Sequence, residues 1–156
     1  NAFVEDINSS EYLYSYCGIK NTPAPYFNLE QEFQLHQLVK DLIRATAIQS
    51  AHDVSDGGLI CCLLEAGFVN NKGFRINHTT DGRKDAFLFG EAQGRVVVSV
   101  TEEKMDVFTK IVMTHKIFAA SLGLVTDKDV LVDEENWGKI SDFEKKYLTS
   151  IEKILN

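Results

Sequence analysis

Cysteine and proline are scarce in this sequence. Its 156 residues include three cysteines and two prolines, Pro23 and Pro25. Because three is an odd number and Cys61 directly precedes Cys62, we expect neither a disulfide framework nor a CxxC metal clip. Cysteine usage of this kind is typical of a reducing compartment, and the cytoplasm is the expected location.

Long hydrophobic runs and an excess of basic charge are also missing. The apolar stretches at 86–89 and 96–100 are much shorter than the roughly 18 residues that a membrane-spanning helix needs, so no membrane partner is expected. The formal net charge of −7 leaves no basic surface for a phosphate backbone, so no nucleic-acid partner is expected. The first residues have neither an initiator Met nor the pattern of a secretory signal, which predicts a cut inside a longer chain.

The composition that remains is that of a soluble globular domain, with 44% hydrophobic and 25% charged residues. Residues 1–27 contain both prolines and six of the aromatic side chains in loosely patterned sequence, which predicts an amino-terminal arm that links to a missing upstream domain. Residues 28–156 are predicted to form one compact domain.

Periodicity in this second part predicts alternating helices and strands. Asn28 is expected to cap a helix that runs to about Ala45, because apolar residues recur there at helical spacing. The remaining predictions are strands at 48–51, 73–77, 95–100, 119–125 and 130–132, a helix at 59–66 stopped by Gly67, a helix at 102–115 capped by Thr101, and a last helix that starts with a capping box at Ser141. This order predicts an α/β (α+β) fold with a mixed β-sheet covered by helices.

The first candidate site is the loop within residues 50–59, SAHDVSDGGL. Two glycines directly before a helix bring unpaired backbone amides and the positive end of the helix together. This arrangement favours the binding of an anion. Gly57 and Gly58 would let a phosphate approach, and Ser55 would donate its hydroxyl. The alternative is that Ser55 or Asp56 only caps the helix, and the carboxylates of Asp53 and Asp56 would repel a phosphate.

The second candidate site is the turn within residues 88–98, LFGEAQGRVVV. Glu91 would accept hydrogen bonds from a ligand, Gln93 would donate or accept, and Arg95 would clamp a carboxylate or phosphate. The alternative is a polar loop in which Glu91 and Arg95 pair with each other or face water. No catalytic residue and no metal ligands are predicted, because His52 has no partner nucleophile in the sequence and the other histidines lack metal-ligand spacing.

These two segments, in this order, resemble the ATP-dependent superfamily that includes aminoimidazole ribonucleotide synthetase, formylglycinamidine ribonucleotide synthase, selenophosphate synthetase and hydrogenase-maturation proteins. The synthase is the nearest match, because residues 8–13 resemble its Gly-Gly-Ser-Glu-Tyr-Leu segment, with Asn8 and Ser9 in place of the two glycines. The likeness continues through residues 122–126 to the last helix. Ala92 stands where the family often has Ser.

This resemblance implies that residues 28–156 are a synthetase C-terminal-type domain. The reaction implied is the ATP-dependent conversion of formylglycinamide ribonucleotide and glutamine-derived ammonia to the amidine in purine biosynthesis. ATP and Mg²⁺ are implied for the parent enzyme, with no cofactor assigned to this chain. The implied partners are upstream nucleotide-binding domains of the same chain, a glutaminase subunit or domain and a small ribonucleotide substrate. The residues implied in binding are Asp53, Ser55, Asp56, Gly57, Gly58, Glu91, Gln93 and Arg95.

Two other readings stay open at this point. The first keeps the fold and changes the enzyme to another superfamily member, such as aminoimidazole ribonucleotide synthetase. The second is a structural module that docks onto the catalytic domains and binds no ligand. In each case the chain alone is expected to be inactive, because catalytic groups of this family are expected in domains outside it.

Overall fold

Helices and strands alternate along the chain in a computed structural model that describes residues 6–78 and 82–155. The described α-helices are α1 (Leu29–Arg44), α2 (Gly58–Phe68), α3 (Lys84–Phe89), α4 (Met105–His115), α5 (Ile140–Leu148) and α6 (Ser150–Leu155). The described strands are β1 (Ser50–Asp53), β2 (Gly73–Ile76), β3 (Val96–Ser99), β4 (Gly123–Thr126), β5 (Asp129–Val132) and β6 (Glu135–Lys139). A π-helix at Tyr12–Tyr16 and a 3₁₀ turn at Glu102–Lys104 complete the described elements.

Contacts divide the chain into two compact units, one from residues 1–62 and 82–121 and the other from residues 63–81 and 122–156. In the first unit β1 and β3 form a two-stranded antiparallel sheet, with Ser50 opposite Ser99 and Asp53 opposite Val96. Helices α1 and α4 pack together around a buried cluster of Leu38, Leu42, Ala47 and Val112. This cluster is the core that holds the helical part of the unit.

The second unit is built on a four-stranded mixed sheet in the order β4-β2-β5-β6. Strand β2 pairs with β5 in parallel and with β4 in antiparallel orientation, and β5 pairs with β6 in antiparallel orientation. Ile76, Val130, Val132 and Ile140 are at most 2% exposed, so they form the core beneath this sheet. The predicted mixed α/β fold is therefore confirmed, with two separate sheets in place of one.

The predicted start of α1 is confirmed, and the predicted end of α2 is wrong. The Asn28 side chain accepts a hydrogen bond from the backbone amide of Gln31 at 3.1 Å, so Asn28 caps α1 as predicted. The second predicted helix exists as α2, but it continues through Gly67 to Phe68, so Gly67 is not its stop. A side chain on Gly67 would lie 2.3 Å from the carbonyl oxygen of Lys72, which explains a glycine inside this helix.

Two predicted caps are wrong. Thr101 makes no side-chain capping bond, and it precedes a 3₁₀ turn, so α4 begins only at Met105. Helix α5 begins at Ile140, one residue before the predicted cap Ser141, because the amide of Ile140 is already paired with the carbonyl of Lys128 at 2.9 Å. The last helical stretch is also divided, since α5 ends at Leu148 and α6 starts at Ser150.

Strand β6 was not predicted, two predicted strands are displaced, and a third is shorter than predicted. Asp133 and Glu134 both have positive φ, 51° and 66°, which is the geometry of a two-residue type I′ hairpin turn between β5 and β6. Asp133 suits the first position of such a turn, but Glu134 stands where Gly is usual. The predicted strands at 48–51, 95–100 and 119–125 lie at 50–53, 96–99 and 123–126. None of the described helices is both long and apolar enough to span a bilayer.

Candidate functional site

The two predicted loops meet at the carboxylate of Glu91. Its Oε1 accepts a hydrogen bond from the backbone amide of Gly57 at 2.8 Å and another from the amide of Glu11 at 2.9 Å. The loop after β1, the turn before β3 and the amino-terminal arm are thus joined at one oxygen atom. We call this three-way contact of Glu11, Gly57 and Glu91 the Glu91 clasp.

The pairing of β1 with β3 explains why these loops lie together. In an antiparallel pair, the end of one strand is beside the beginning of the other. Asp53, the last residue of β1, is opposite Val96, the first residue of β3. The backbone amide of Val54 then donates to the carbonyl of Arg95 at 2.9 Å, which extends the contact into both loops.

Gly58 lies so close to the second loop that no side chain would fit there. It has a φ of +72°, and an added Cβ would stand 2.7 Å from the carbonyl oxygen of Gly90. Gly57 has a φ of +81°, a conformation that L side chains rarely adopt. Both glycines were predicted to let a phosphate approach, and the structure places the backbone of residues 88–90 next to Gly58.

Arg95 is directed toward carbonyl groups of its own turn. Its Nε donates to the carbonyl of Ala92 at 2.9 Å, and its Nη2 donates to the carbonyl of Gly90 at 2.6 Å. Burial lowers the pKa of the Arg95 guanidinium from its ordinary value, against the opposing effect of nearby Cys62. These bonds brace the turn and reduce the capacity of Arg95 to bind a ligand.

The remaining predicted residues are on the surface. Asp53, Ser55, Asp56 and Gln93 are exposed. The carbonyl of Ser55 accepts from the amide of Gly58 at 3.0 Å, but among the described residues the side chains of Ser55 and Asp56 cap nothing. The structure describes no hydrogen bond to any of these four side chains, so they can meet a partner without breaking one.

A cavity beside the clasp was not predicted from the sequence. Its volume is about 380 Å³, and it is lined by arm residues 9–11, 14 and 19–22 together with Asp56 and Glu91. The arm folds back to form it, since the amide of Ser9 donates to Thr22 Oγ1 at 2.7 Å and the Ser9 hydroxyl donates to the carbonyl of Pro23 at 2.9 Å. The Ser-Glu-Tyr-Leu segment was the only sequence signal for it.

His52 and metal coordination were the other two possibilities that the sequence raised. His52 Nδ1 lies 2.8 Å from the carbonyl oxygen of Asp53, which is a local backbone contact. Within residues 6–78 and 82–155, no group of three or more His, Cys, Asp or Glu side chains is placed to hold a metal ion.

Comparison with known proteins gives one matching family model and many relatives. The model described as AIR synthase related protein, C-terminal domain, matches residues 15–134. Phosphoribosylformylglycinamidine synthase subunit PurL of Caldanaerobacter subterraneus subsp. tengcongensis is 38% identical over 128 residues, which is 82% of this chain and 18% of the relative. The same subunit of Carboxydothermus hydrogenoformans is 39% identical over 124 residues, which is 80% of this chain and 17% of the relative.

Solved structures show the same fold at lower identity. T. maritima PurL complexed with FGAR has a TM-score of 0.66 at 17% identity, over 80% of this chain and 23% of that chain. T. maritima PurL complexed with ATP has a TM-score of 0.59 at 17% identity, over 69% of this chain and 20% of that chain. The chain therefore spans about a fifth of the length of the proteins it resembles.

Proposed function

The chain belongs to the family of AIR synthase related proteins, C-terminal domain, and from this premise we propose that it works as one domain of a phosphoribosylformylglycinamidine synthase. The resemblance to that synthase predicted from the motifs is confirmed by the PurL relatives. Because the chain spans less than a fifth of these relatives, the activity proposed here is that of a longer parent enzyme. Residues 1–27 would link this domain to the parent's upstream domains.

The proposed reaction is amidine formation in purine biosynthesis. ATP activates the formyl-amide oxygen of formylglycinamide ribonucleotide, ammonia from a glutaminase subunit or domain displaces it, and the products are the amidine, ADP and phosphate. T. maritima PurL complexed with FGAR, ATP or AMPPCP supports the proposed ligands. Mg²⁺ is proposed for the parent enzyme, and no metal ligand is assigned to this chain. The proposed location is the cytoplasm.

The observation that carries a binding role for this domain is the Glu91 clasp, because it joins both motif loops into one surface. Within that surface, Gly57, Gly58, Glu91 and Arg95 hold the backbone in place. The exposed side chains of Asp53, Ser55, Asp56 and Gln93 then face the ribonucleotide or nucleotide. No catalytic residue is assigned here, and the chain by itself is expected to turn over no substrate.

A domain exchange tests this function. Residues 15–134 would replace the matching segment of Carboxydothermus hydrogenoformans PurL, and amidine and ADP formation from ATP, formylglycinamide ribonucleotide and ammonium would be measured. We expect the exchanged enzyme to form amidine from ammonia. Combining Ser55→Ala with Gln93→Ala should then raise the KM of the ribonucleotide or of ATP about tenfold or more, because two hydrogen bonds to the ligand are lost. The matched control is Gln34→Ala on the exposed surface of α1, which should leave both constants unchanged.

A structural docking role is the second candidate, and one observation favours it. The charged groups Glu91 and Arg95 have described hydrogen bonds to backbone amides and carbonyls, which is how bracing residues behave. If the exchanged enzyme is active and the double variant has unchanged KM values, the domain docks without contacting a ligand. If a folded exchanged enzyme forms no amidine, the proposal that this chain works as a domain of the synthase is wrong.

A further inference from the structure

We propose that docking of the arm controls the order of the loop of residues 54–58, because one oxygen atom of Glu91 holds both. This Oε1 atom accepts from the amide of Glu11 in the arm at 2.9 Å and from the amide of Gly57 in the loop at 2.8 Å. When the arm leaves, the loop loosens, and by reciprocity a loosened loop weakens the docking of the arm. This coupling is a property of the chain itself and does not depend on the proposed reaction.

The described part of the arm, residues 6–27, lies against the segment that leads into the clasp. The ring of Tyr12 stacks on the ring of Phe89, with the ring centres 4.6 Å apart and the planes 5° from parallel. A Cβ added to Gly90 would stand 2.7 Å from the carbonyl oxygen of Asp6, so the two backbones are in close contact. The arm is therefore docked directly beside the clasp.

This docking involves few buried groups. Within residues 6–27, only Ser10 and Leu13 are buried. The start of the arm is also tied to its end, since the Asp6 carboxylate accepts from the amide of Tyr26 at 3.2 Å. Segments with few buried side chains open locally at a lower free energy than the whole domain. The arm can consequently leave while the rest of the chain stays folded.

The loop depends on partners outside itself because its backbone is permissive. Gly57 and Gly58 have φ values of +81° and +72°, and glycine loses more conformational freedom on ordering than any other residue does. The described hydrogen bonds that tie the loop to other segments run from the amide of Val54 to the carbonyl of Arg95 and from the amide of Gly57 to Glu91. Loss of the second bond would leave the two glycines without this anchor.

The side chain of Glu91 couples the two contacts. Fixing a long side chain in one rotamer costs conformational entropy, and here two hydrogen bonds share that cost. While the amide of Glu11 holds the carboxylate, the amide of Gly57 meets an acceptor that is already in place. When Glu11 withdraws, the Gly57 bond alone must offset the whole cost. Each contact therefore strengthens the other.

Amide hydrogen exchange of the 156-residue chain, followed by NMR, tests this coupling. Glu11→Pro removes the amide donor, and the φ of −57° at Glu11 is compatible with proline. Glu11→Ala is the matched control, because it keeps the amide and removes only the side chain. We expect Glu11→Pro to speed exchange of the Gly57 amide about tenfold or more, and Glu11→Ala to change it less than about twofold.

A second variant weakens the arm without altering any residue of the clasp. Tyr12→Ala removes the ring stack and should speed exchange of the Gly57 amide about fivefold, whereas Tyr14→Ala, at an exposed aromatic residue of the arm, should change it less than about twofold. An unchanged Gly57 rate in either Glu11→Pro or Tyr12→Ala overturns the proposal. Equal acceleration of the buried Leu42 amide in α1 overturns it as well, because the whole domain would then be opening.

Discussion

Gly58 combines a left-handed backbone with a contact that leaves no room for a side chain. Its φ is +72°, and an added Cβ would stand 2.7 Å from the carbonyl oxygen of Gly90. Gly18 has a similar φ of +68° but nothing within 4 Å of the added atom. We therefore expect Gly18→Ala to cost about 1 kcal/mol of unfolding free energy and Gly58→Ala about 3 kcal/mol or more. Urea unfolding of both variants measures the difference, and equal midpoints would contradict it.

Asp85 gives this chain part of its sensitivity to acid. The hydrogen bond from the Arg83 guanidinium, aided by the amide of Ala86, lowers the pKa of the Asp85 carboxyl from its ordinary value of 3.8. A carboxyl with a lowered folded-state pKa stabilises the fold above pH 3.8, and this stability is lost as pH falls through the folded pKa. Asp85→Asn should flatten the fall in unfolding free energy between about pH 5 and pH 2, as measured by urea unfolding at each pH. An unchanged slope would exclude this ion pair as a source.

The sequence indicated Gly58, Glu91 and Arg95 as special residues, but their roles depend on distant partners. Glu91 is 34 residues from Gly57 and 80 residues from Glu11 in sequence, so no local pattern shows that one oxygen serves both amides. Arg95 was predicted as a ligand clamp because its residue type suits anions, whereas described hydrogen bonds direct it to carbonyls within five residues. The binding role of the eight predicted residues stays a prediction.

The residues that precede α1 and the 3₁₀ turn differ in how much they contribute to stability. Asn28 caps α1 through its side chain, while Thr101 makes no capping bond to the 3₁₀ turn that follows it. We expect Asn28→Ala to lower the unfolding free energy by about 1 kcal/mol and Thr101→Ala to change it by less than about 0.5 kcal/mol. Thermal unfolding followed by circular dichroism measures both variants. If Thr101→Ala lowers the unfolding free energy as much as Asn28→Ala does, this expectation is wrong, because the structure shows no capping bond at Thr101.

Apolar periodicity predicted helices with one buried face, such as α1. It did not predict β6, whose sequence is mostly polar. Helix α1 was correct to within one residue at each end, because Leu38 and Leu42 repeat at helical spacing and are both buried. Strand β6 was missed because Glu135 and Asn136 are exposed polar residues that offer no alternating pattern. Its position follows from pairing with β5, which is a tertiary effect that sequence periodicity does not contain.

Many large apolar side chains are exposed among the described residues, and two of them lie next to each other on β4. Among the described strands it pairs only with β2, and Leu124 and Val125 are 74% and 64% exposed. An open edge strand with apolar side chains and no charge favours association between chains. Leu124→Lys should reduce concentration-dependent association in sedimentation velocity, with a change of less than about 0.5 kcal/mol in unfolding free energy.

Thr109→Lys is the control for the added charge, because Thr109 is exposed on α4 and lies outside this strand. It should leave the association unchanged. If both lysine variants reduce association equally, net charge and not the strand edge determines it.

The Glu91 clasp also sets an order of events during synthesis. Glu11 and Gly57 leave the ribosome well before Glu91, yet their two amides depend on its carboxylate for a partner. The arm consequently stays unanchored at Glu11 until the strand Val96–Ser99 has been made and has paired with Ser50–Asp53. Contacts of such long sequence separation close late in folding, so we expect the segment around Glu11 to stay exposed until the Glu91 clasp has formed.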